Sequence, residues 1–266
     1  MSYTHQKPTL IDLHIDTSLD KNVRKFTNYN FVIKSYIPNN SFKKSEFKDY
    51  KHFIENISEQ GTDGWMSCRL GRITSTHYGG ASGMNIYTNK LKTAYNIFGV
   101  KEDIDKRGIE NIELGLYLER HIINSYTKHT GNTVKEVGFC ISKENPIFGF
   151  SPDGFVGEDG IIECKGVKKL YQGLQNKING TDYKLENTYE GIPLYQYCQI
   201  QGILHLSKRK FAEYCVGDFN MKKVYYERLD YNKEFCDDMF RKIDDFIDNE
   251  YSYVKKISDG ILKEYL

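Results

Sequence analysis

The chain contains segments in which apolar residues recur every three or four positions and others in which they alternate with polar ones. The first pattern predicts amphipathic helices, and the second predicts strands with one buried face. Helices come first, followed by a strand meander, another helix, two more strands and a final helix. That order indicates an α/β or α+β sandwich around a mixed sheet. Helices are expected over 65–71, 89–98, 109–129, 194–207 and 231–256, and strands over 134–142, 147–150, 155–156, 161–165, 211–216 and 224–229.

No linker or internal repeat separates two domains, so the 266 residues are expected to form a single domain. Residues 61–230 would be its core and 231–266 a C-terminal helix. Residues 1–60 would be an N-terminal extension of helix and strand. Within that extension, the segment from Lys43 is expected to be a helix that leads into 53–57.

Two polar segments are given structural interpretations. Residues 168–193 are rich in turn-forming residues and are expected to form a loop with a short helix. Asp12, His14 and Asp16 alternate with apolar neighbours. This pattern favours a short strand over a metal site, because no further ligands cluster there.

Composition limits the functional classes. The chain has 37 Lys and Arg against 36 Asp and Glu, so a nucleic-acid partner would need locally clustered basic residues. Six cysteines are scattered without paired spacing, which predicts buried free thiols in a reducing compartment. With no signal peptide, lipidation motif or transmembrane run, the protein is expected to be intracellular, in the cytoplasm or in a host compartment if a virus encodes it.

The candidate chemistry is concentrated in one turn and the strand that follows it. The Ser-Pro-Asp-Gly turn at 151–154 presents Asp153, and Glu163 and Lys165 lie on the next apolar strand. Alternate strand residues share a face, so these two side chains are roughly 7 Å apart at ~3.3 Å per residue. A hairpin through 157–160 would bring Asp153 alongside Glu163. Two carboxylates and a lysine at one sheet edge suit a hard divalent cation and a phosphate.

A surface hairpin with an exposed Glu–Lys pair is the competing interpretation. The neighbouring residues argue against it, because Ile161, Ile162, Cys164 and Val167 predict a largely buried strand. A buried carboxylate without a partner is unfavourable, and a cation is the natural compensation.

Two other features have both a structural and a functional interpretation. Arg69 and Arg72 precede the hydroxyl run Thr74-Ser75-Thr76 at a predicted helix start and could cradle a phosphate. On pattern alone, an N-cap with two solvated arginines is favoured. Glu119 lies near the middle of the 109–129 helix, where a lone glutamate is usually solvated. The buried stripe of that helix is expected to contain Ile112, Leu116, Ile123 and Tyr126.

Four motifs in sequence order resemble the PD-(D/E)XK nucleases, and most closely the phage lambda exonuclease branch that includes the YqaJ-type viral recombinases. The resemblance extends from about Trp65 to Asp218. It implies a restriction-endonuclease-like core, with a central mixed β-sheet flanked by helices. The motifs are Trp-x-x-x-Arg-x-Gly-x-Ile-Thr from Trp65, Gly-x-x-x-Glu at 115–119, Ser-Pro-Asp-Gly with Glu-x-Lys, and Tyr-x-Gln-x-Gln at 197–201.

The resemblance implies a role for each matched residue. Asp153 and Glu163, with the backbone carbonyl of Cys164, would be the main metal ligands, and Glu119 would help to hold a second metal. Lys165 would be the catalytic lysine, acting as an ammonium group because neighbouring carboxylates favour its charged form. The remaining implied residues are Gln199, which would orient the attacking water or a phosphate oxygen, and Arg69 with Ser75 or Thr76, which would hold a terminal 5′ phosphate.

The implied activity is metal-dependent hydrolysis of DNA. Oxygen-rich ligands favour Mg²⁺, or Mn²⁺, and two such ions ~3.5–4 Å apart would activate water and stabilise the departing 3′ oxygen. The resemblance favours a 5′-to-3′ exonuclease on linear double-stranded DNA ends, acting in recombination with a single-strand annealing protein. Lambda-type relatives form a ring around DNA, which implies a homo-oligomer, and no membrane partner is expected.

Two alternatives remain open at this point. One is a restriction-like or single-strand-directed endonuclease of the same superfamily. The other is a catalytically idle DNA-binding module, against which the complete set of Asp153, Glu163 and Lys165 argues.

Overall fold

The computed structural model describes residues 8–16, 18, 46–100, 105–180, 186–220 and 222–265. The strands are β1 (Thr9–Asp12), β2 (Phe47–Asp49), β3 (Phe53–Asn56), β4 (Ile73–Thr74), β5 (Val134–Lys135), β6 (Phe139–Ser142), β7 (Phe148–Phe150), β8 (Gly154–Val156), β9 (Gly160–Lys165), β10 (Thr188–Tyr189), β11 (Ile192–Pro193), β12 (Phe211–Asp218) and β13 (Lys223–Asp230). The helices are α1 (Asp63–Arg69), α2 (Tyr78–Ala81), α3 (Lys90–Ile97), α4 (Lys106–Thr130), α5 (Lys168–Asn179), α6 (Leu194–Ser207), α7 (Lys233–Phe246) and α8 (Ser252–Tyr265). A 3₁₀ turn (Ser75–His77) precedes α2, and a π-helical turn (Ile247–Tyr251) joins α7 to α8.

A mixed six-stranded sheet forms the centre of the fold, in the order β1-β13-β12-β9-β8-β5. Strands β9 and β12 are parallel, and the other neighbouring pairs are antiparallel. This sheet is flanked by helices, so the expectation of an α/β fold around a mixed sheet is confirmed. A second sheet, in the order β2-β3-β6-β7-β4, and the small β10–β11 pair were not anticipated.

The chain crosses between the two sheets on either side of β6 and β7. The expected pairing of 134–142 with 147–150 is therefore only half correct. Val134–Lys135 pairs with β8 in the large sheet, whereas β6 pairs with β7 in the second sheet. The return crossing falls at 151–153, so Asp153 lies where the chain enters the large sheet.

The large sheet is covered on both faces. Helix α4 packs on one face, where Leu118 and Ile122 contact Ile162 and Cys164. Helices α5 and α6 cover the other face, to which Ile161 points, and α7 packs on α6. The stripe predicted for α4 is correct for Tyr126 but is otherwise displaced by about one position around the helix. Leu118, His121, Ile122, Ser125 and Tyr126 are the buried residues, while Ile112, Leu116 and Ile123 are half-buried.

Two glycines allow α2 and α6 to approach each other closely. A Cβ atom at Gly79 would lie 3.1 Å from the Cα of Tyr195, and one at Gly202 would lie 2.2 Å from the Tyr78 ring. Each helix thus places a glycine beneath a tyrosine of the other. The contact fixes α6 against the segment that follows α1.

Other expectations are partly corrected. The helix expected from Lys43 is wrong from residue 46 onward, where β2 and β3 form an antiparallel pair. Short apolar runs do not distinguish a strand from a helix by period alone, and here the partner strand β6 decides. The strand expected at 12–16 ends at Asp12. In 168–193 the structure forms the 12-residue helix α5 and the β10–β11 pair.

All six cysteines are buried free thiols, as expected. In the ranges that the structure describes, no helix has the length and apolar character needed to span a membrane.

Candidate active site

The turn before β8 brings the two carboxylates together. Gly154 pairs with Ile162, and the Asp153 Oδ2 atom accepts a hydrogen bond of 2.6 Å from the Cys164 backbone N–H. The residue after Asp153 is a glycine, and a Cβ atom at Gly154 would lie only 2.4 Å from Val134 Cγ1. The absence of a side chain there allows the close approach of β5. The hairpin expected from the sequence is present, and it places Asp153 beside the strand segment that carries Glu163.

The Glu163 carboxylate is nearly completely buried, with 1% exposure, and its two oxygens differ. Oε1 accepts hydrogen bonds from Lys165 Nζ at 2.5 Å and from Gln199 Nε2 at 2.6 Å. Oε2 is buried and has no hydrogen-bond partner among the described residues. One oxygen of the carboxylate therefore accepts two hydrogen bonds from the chain, whereas the other receives none from the residues that the structure describes.

The charged groups of the cluster shift one another's pKa values. Burial raises the pKa of Glu163 above its ordinary value, Lys165 opposes the increase, and Asp153 adds to it. Burial lowers the pKa of Lys165, but Glu163 and Asp153 outweigh burial, so the net pKa of the lysine is raised. Lys165 is therefore an ammonium group at neutral pH. Asp153 and Glu163 thus place two carboxylates beside the Lys165 ammonium group, and a cation bound between them would stabilise their charged forms.

Glu119 and Cys164 reach this region from the other face of the sheet. The Cys164 side chain packs against α4, and the half-buried Glu119 lies within electrostatic range of it. In the described ranges, no group of three or more His, Cys, Asp and Glu side chains is arranged to hold a metal ion. The structure thus brings Asp153 and Glu163 together but does not gather Glu119 into a three-ligand cluster with them.

Arg69, in the last turn of α1, forms a second cluster. Its guanidinium lies 4.3 Å from the centre of the Trp65 ring, and its Nη2 donates to the hydroxyls of Thr74 and Thr76 at 3.3 and 3.4 Å. Burial lowers the pKa of Arg69 to about 10, which leaves it charged at neutral pH. Among the described residues, no carboxylate forms an ion pair with it. A partly buried cation beside two hydroxyls suits an anionic ligand.

The hydroxyls of the 74–76 run differ in accessibility. Thr76 is exposed and contacts Arg69, whereas Ser75 is 2% exposed. Arg72 points elsewhere, since it donates to the carbonyls of Pro146 at 3.0 Å and Cys68 at 2.7 Å. The alternative of two solvated arginines is therefore not what the structure shows. Arg69 is available to a ligand, and Arg72 is used within the fold.

The Arg69 cluster is attached to the Asp153 turn. The indole N–H of Trp65 donates to Ser151 Oγ at 3.4 Å, two residues before Asp153. Gln60 donates to the Pro152 carbonyl at 3.3 Å. These contacts hold α1 and the residues just before it against the turn that presents Asp153.

Residues 64–210, more than half of the chain, match the family described as the YqaJ-like viral recombinase domain. The chain belongs to this family. The resemblance inferred from the four motifs is confirmed, and so is the nuclease fold that it implied. Among curated proteins, none matches the chain in sequence.

Solved structures share the fold of this YqaJ-like domain. The alkaline exonuclease LHK-Exo of Laribacter hongkongensis superposes with a TM-score of 0.58 at 19% identity, covering 76% of this chain and 99% of that one. Its complex with dAMP gives a TM-score of 0.59 with the same identity and coverage. A phage-related exonuclease from Haemophilus somnus 129PT gives 0.50 at 13% identity, covering 70% and 96%. At these identities the likeness establishes the fold.

Several residues of the YqaJ-like domain site were not singled out from the sequence. Trp65 was noted only as part of a motif, yet it supports Arg69 and contacts Ser151. Its position four residues before Arg69 on one helix was an available signal. From the sequence, Tyr195 is expected only to pack within the 194–207 helix, and Gln196 has no expected role. Tyr195 precedes Gln199 by four residues, so its position on the same helix face was an available signal. Gln196 accepts a hydrogen bond from Tyr214, which is distant in sequence, so no local pattern indicates this contact.

Proposed function

We propose that this YqaJ-like domain is a metal-dependent deoxyribonuclease that degrades linear double-stranded DNA from its 5′ ends. The observation that carries the proposal is that Asp153 lies beside the buried Glu163 carboxylate, which Lys165 and Gln199 hold through one oxygen. Its other oxygen is buried and has no hydrogen-bond partner among the residues that the structure describes. A hydrogen-bonded structural glutamate would normally use both oxygens.

The residues present fit a divalent cation of the Mg²⁺ or Mn²⁺ type. Glu163 Oε2, the Asp153 carboxylate and the Cys164 carbonyl would hold it, and Glu119 would contribute to a second ion. Oxygen donors of this kind select magnesium or manganese over softer metals. When bound, such ions would lower the pKa of the attacking water and stabilise charge on the departing 3′ oxygen.

Lys165 and Gln199 would act on the substrate from the opposite side of Glu163. The raised pKa of Lys165 supports an ammonium group that neutralises charge on the phosphate, and it argues against a general base. Gln199 is fixed by its bond to Glu163 Oε1. Its role would be to keep the Glu163 carboxylate in one orientation and to position water or a phosphate oxygen.

Arg69 and Thr76 would hold the terminal 5′ phosphate, and this binding would define the direction of degradation. The support is the charge of Arg69, with which no described carboxylate forms an ion pair, its two hydroxyl neighbours and the contact between Trp65 and Ser151. A terminal phosphate carries more negative charge than an internal one, so a single arginine with hydroxyl donors can favour a chain end.

Assembly into a ring-like homo-oligomer around the DNA forms part of the same proposal, as does cooperation with a single-strand annealing protein. The near-neutral net charge of +1 supports an arrangement in which enclosure, more than a strong electrostatic field, keeps the enzyme on DNA.

The test compares linear duplexes bearing 5′-phosphate or 5′-hydroxyl ends with closed circular DNA, in Mg²⁺ and in chelator. Labels at the 3′ and 5′ ends report direction. We expect only linear DNA to be lost, fastest from 5′-phosphorylated ends and only with the metal. Asp153→Ala should reduce the rate by about 10³-fold. The control is Asp159→Ala, in the turn between β8 and β9. It removes an exposed carboxylate that pairs with Lys210, and it should leave the rate unchanged.

Other results would indicate a different function. Cutting of closed circles would indicate an endonuclease. Retention of both substrates with binding intact would indicate an idle DNA-binding module. If Asp153→Ala degraded linear DNA as fast as the unaltered chain, the assignment of Asp153 to the active site would be wrong.

A further inference from the structure

Helix α6, which supplies Gln199, carries a hydroxyl that has no role so far. Tyr195 precedes Gln199 by four residues, so the two side chains lie on the same face of the helix. Gln199 donates to Glu163, and Tyr195 lies within electrostatic range of Lys165. The Tyr195 ring is half-buried and packs edge to face against the exposed Tyr87, with ring centres 5.8 Å apart.

A buried relay determines which hydrogen bond Tyr195 can make. The Tyr214 hydroxyl is completely buried and donates to Gln196 Oε1 at 2.5 Å. Among the described residues, that oxygen is the hydrogen-bond acceptor found for it, so the amide of Gln196 is held in one orientation. The other end of the amide, Nε2, can only donate, and it donates to the Tyr195 hydroxyl at 3.0 Å.

This relay leaves the Tyr195 proton available. The Tyr195 oxygen accepts from Gln196, so its own O–H must donate to another group. The opposite orientation of the amide would leave the Tyr214 proton buried without an acceptor, which is unfavourable. Tyr195 is therefore oriented as a donor on the helix face that meets Glu163 and Lys165.

Resting on the proposed function, we propose that Tyr195 is a catalytic residue that donates a hydrogen bond to a non-bridging oxygen of the scissile phosphate beside Lys165. Gln196 is the positioning residue, held by Tyr214. The proton stays on Tyr195 throughout, so the reaction remains hydrolysis and needs no additional reactant. A neutral donor complements the ammonium of Lys165 because it stabilises the phosphate oxygen without adding charge to the buried cluster.

The first test removes the hydroxyl alone. Tyr195→Phe should lower the rate of DNA degradation by about 10- to 100-fold, with little change in KM or in thermal stability. Tyr87→Phe makes the same change on the neighbouring exposed ring and should be indistinguishable from the unaltered chain. An unchanged rate for Tyr195→Phe in an active preparation overturns the inference and leaves the proposed function intact. An inactive unaltered chain would instead reject the proposed function.

The second test reports the contact with phosphate directly. DNA is prepared with a phosphorothioate in each of its two diastereomers at the first linkage to be cut. For one diastereomer, the ratio of the oxygen to the sulfur rate should be smaller in Tyr195→Phe than in the unaltered chain. Ratios that match for both diastereomers would show that the hydroxyl acts only through the fold.

The third test reverses the relay. In Gln196→Glu the new carboxylate can accept from both tyrosines, so Tyr195 should donate inward and lose its bond to the phosphate. We expect a rate defect similar to that of Tyr195→Phe, and the double variant should be no slower than the slower single variant. Additive losses in the double variant would contradict the relay.

Discussion

Two buried glutamate–lysine pairs lie on the same face of the large sheet, and they differ in how fully their carboxylates are hydrogen-bonded. Strand register places Glu163 beside Tyr214, and Tyr214 beside Glu227, so the two glutamates are two strands apart. Lys177 donates to both oxygens of Glu227, at 2.9 and 3.0 Å, and to the Glu190 carbonyl at 2.7 Å.

The Glu227 pair is closed and the Glu163 pair is open. Tyr225 also donates to Glu227, so each oxygen of that carboxylate has a partner. Lys165 and Gln199 instead donate to the same oxygen of Glu163, and the other oxygen has no hydrogen-bond partner in the part of the chain that the structure describes. The same two residue types therefore build a structural ion pair at one position and a candidate cation site at the other.

An unpartnered oxygen alone does not mark a site. Within the described ranges, Glu213 Oε2 also lacks a hydrogen-bond partner. On the opposite face of the sheet, however, Arg228 donates to the other oxygen of Glu213 and neutralises its charge. Glu163 differs because Asp153 adds a second negative charge to the cluster. Burial raises the pKa of Glu163 most, and Asp153 raises it further.

The largest expected effect separates the two glutamates. Glu163→Gln should abolish DNA degradation, a loss of about 10³-fold or more, because the variant loses its cation ligand. Glu227→Gln should retain the rate but lower the free energy of unfolding by about 3 kcal/mol, since it leaves Lys177 without its countercharge. Rates on linear DNA and urea denaturation measure both. Loss of activity in both variants, with the fold intact, would remove the distinction between the open and closed pairs.

Substitution of the two lysines should also affect activity at one pair and stability at the other, with a smaller effect on the rate of DNA degradation. Lys165→Met should reduce turnover by about 10²-fold because charge on the phosphate is no longer neutralised. Lys177→Met should leave turnover unchanged and destabilise the fold by about 3 kcal/mol, at the low end for a buried pair because this lysine is partly exposed. Single-turnover kinetics and denaturation check the pair. Near-normal turnover of Lys165→Met would disprove its role.

The pH dependence of stability should distinguish the pairs in the absence of DNA. The pKa of Glu163 is higher in the folded chain than in the unfolded one, so its contribution to stability is greatest below the ordinary value of 4.5 and is lost as the pH rises toward about 7. A divalent cation binds the deprotonated carboxylate. The increase in Tm that Mg²⁺ produces should therefore grow over this range and level off above it.

Calorimetry with and without Mg²⁺, across that pH range, tests the expectation. Glu163→Gln should remove the pH-dependent increase in Tm, and Glu227→Gln should preserve it. An increase in Tm of equal size at every pH, or one that survives Glu163→Gln, would show that Mg²⁺ binds elsewhere.

The smallest expected effect extends the comparison to hydroxyls. Thr76→Val should reduce the preference for 5′-phosphorylated ends severalfold, because the exposed hydroxyl lies beside Arg69. Ser75→Ala should keep that preference, since Ser75 is buried. The ratio of rates on phosphorylated and hydroxyl ends is the measurement. The reverse result would assign the contact to Ser75.

Some of the site could be predicted because it is local in sequence. Alternation along one strand puts Glu163 and Lys165 on one face, and a short hairpin places Asp153 against that strand. The helix that contains Gln199 was correctly bounded. The side-chain stripe of α4 was displaced because a sequence pattern does not show how a helix is rotated against its sheet.

What the sequence determined by itself is the family, the mixed α/β fold and the pair of strands that bears the chemistry, because short-range spacing and turn residues encode them. Tertiary structure alone decided that β2 and β3 are strands, that Glu119 approaches from the opposite face, and that Tyr214 orients Gln196 and Tyr195. It also decided which buried glutamate is closed by its neighbours and which is left open. These outcomes depend on partners far apart in the chain, whose hydrogen bonds exist only after the sheet has formed and the helices have packed on it.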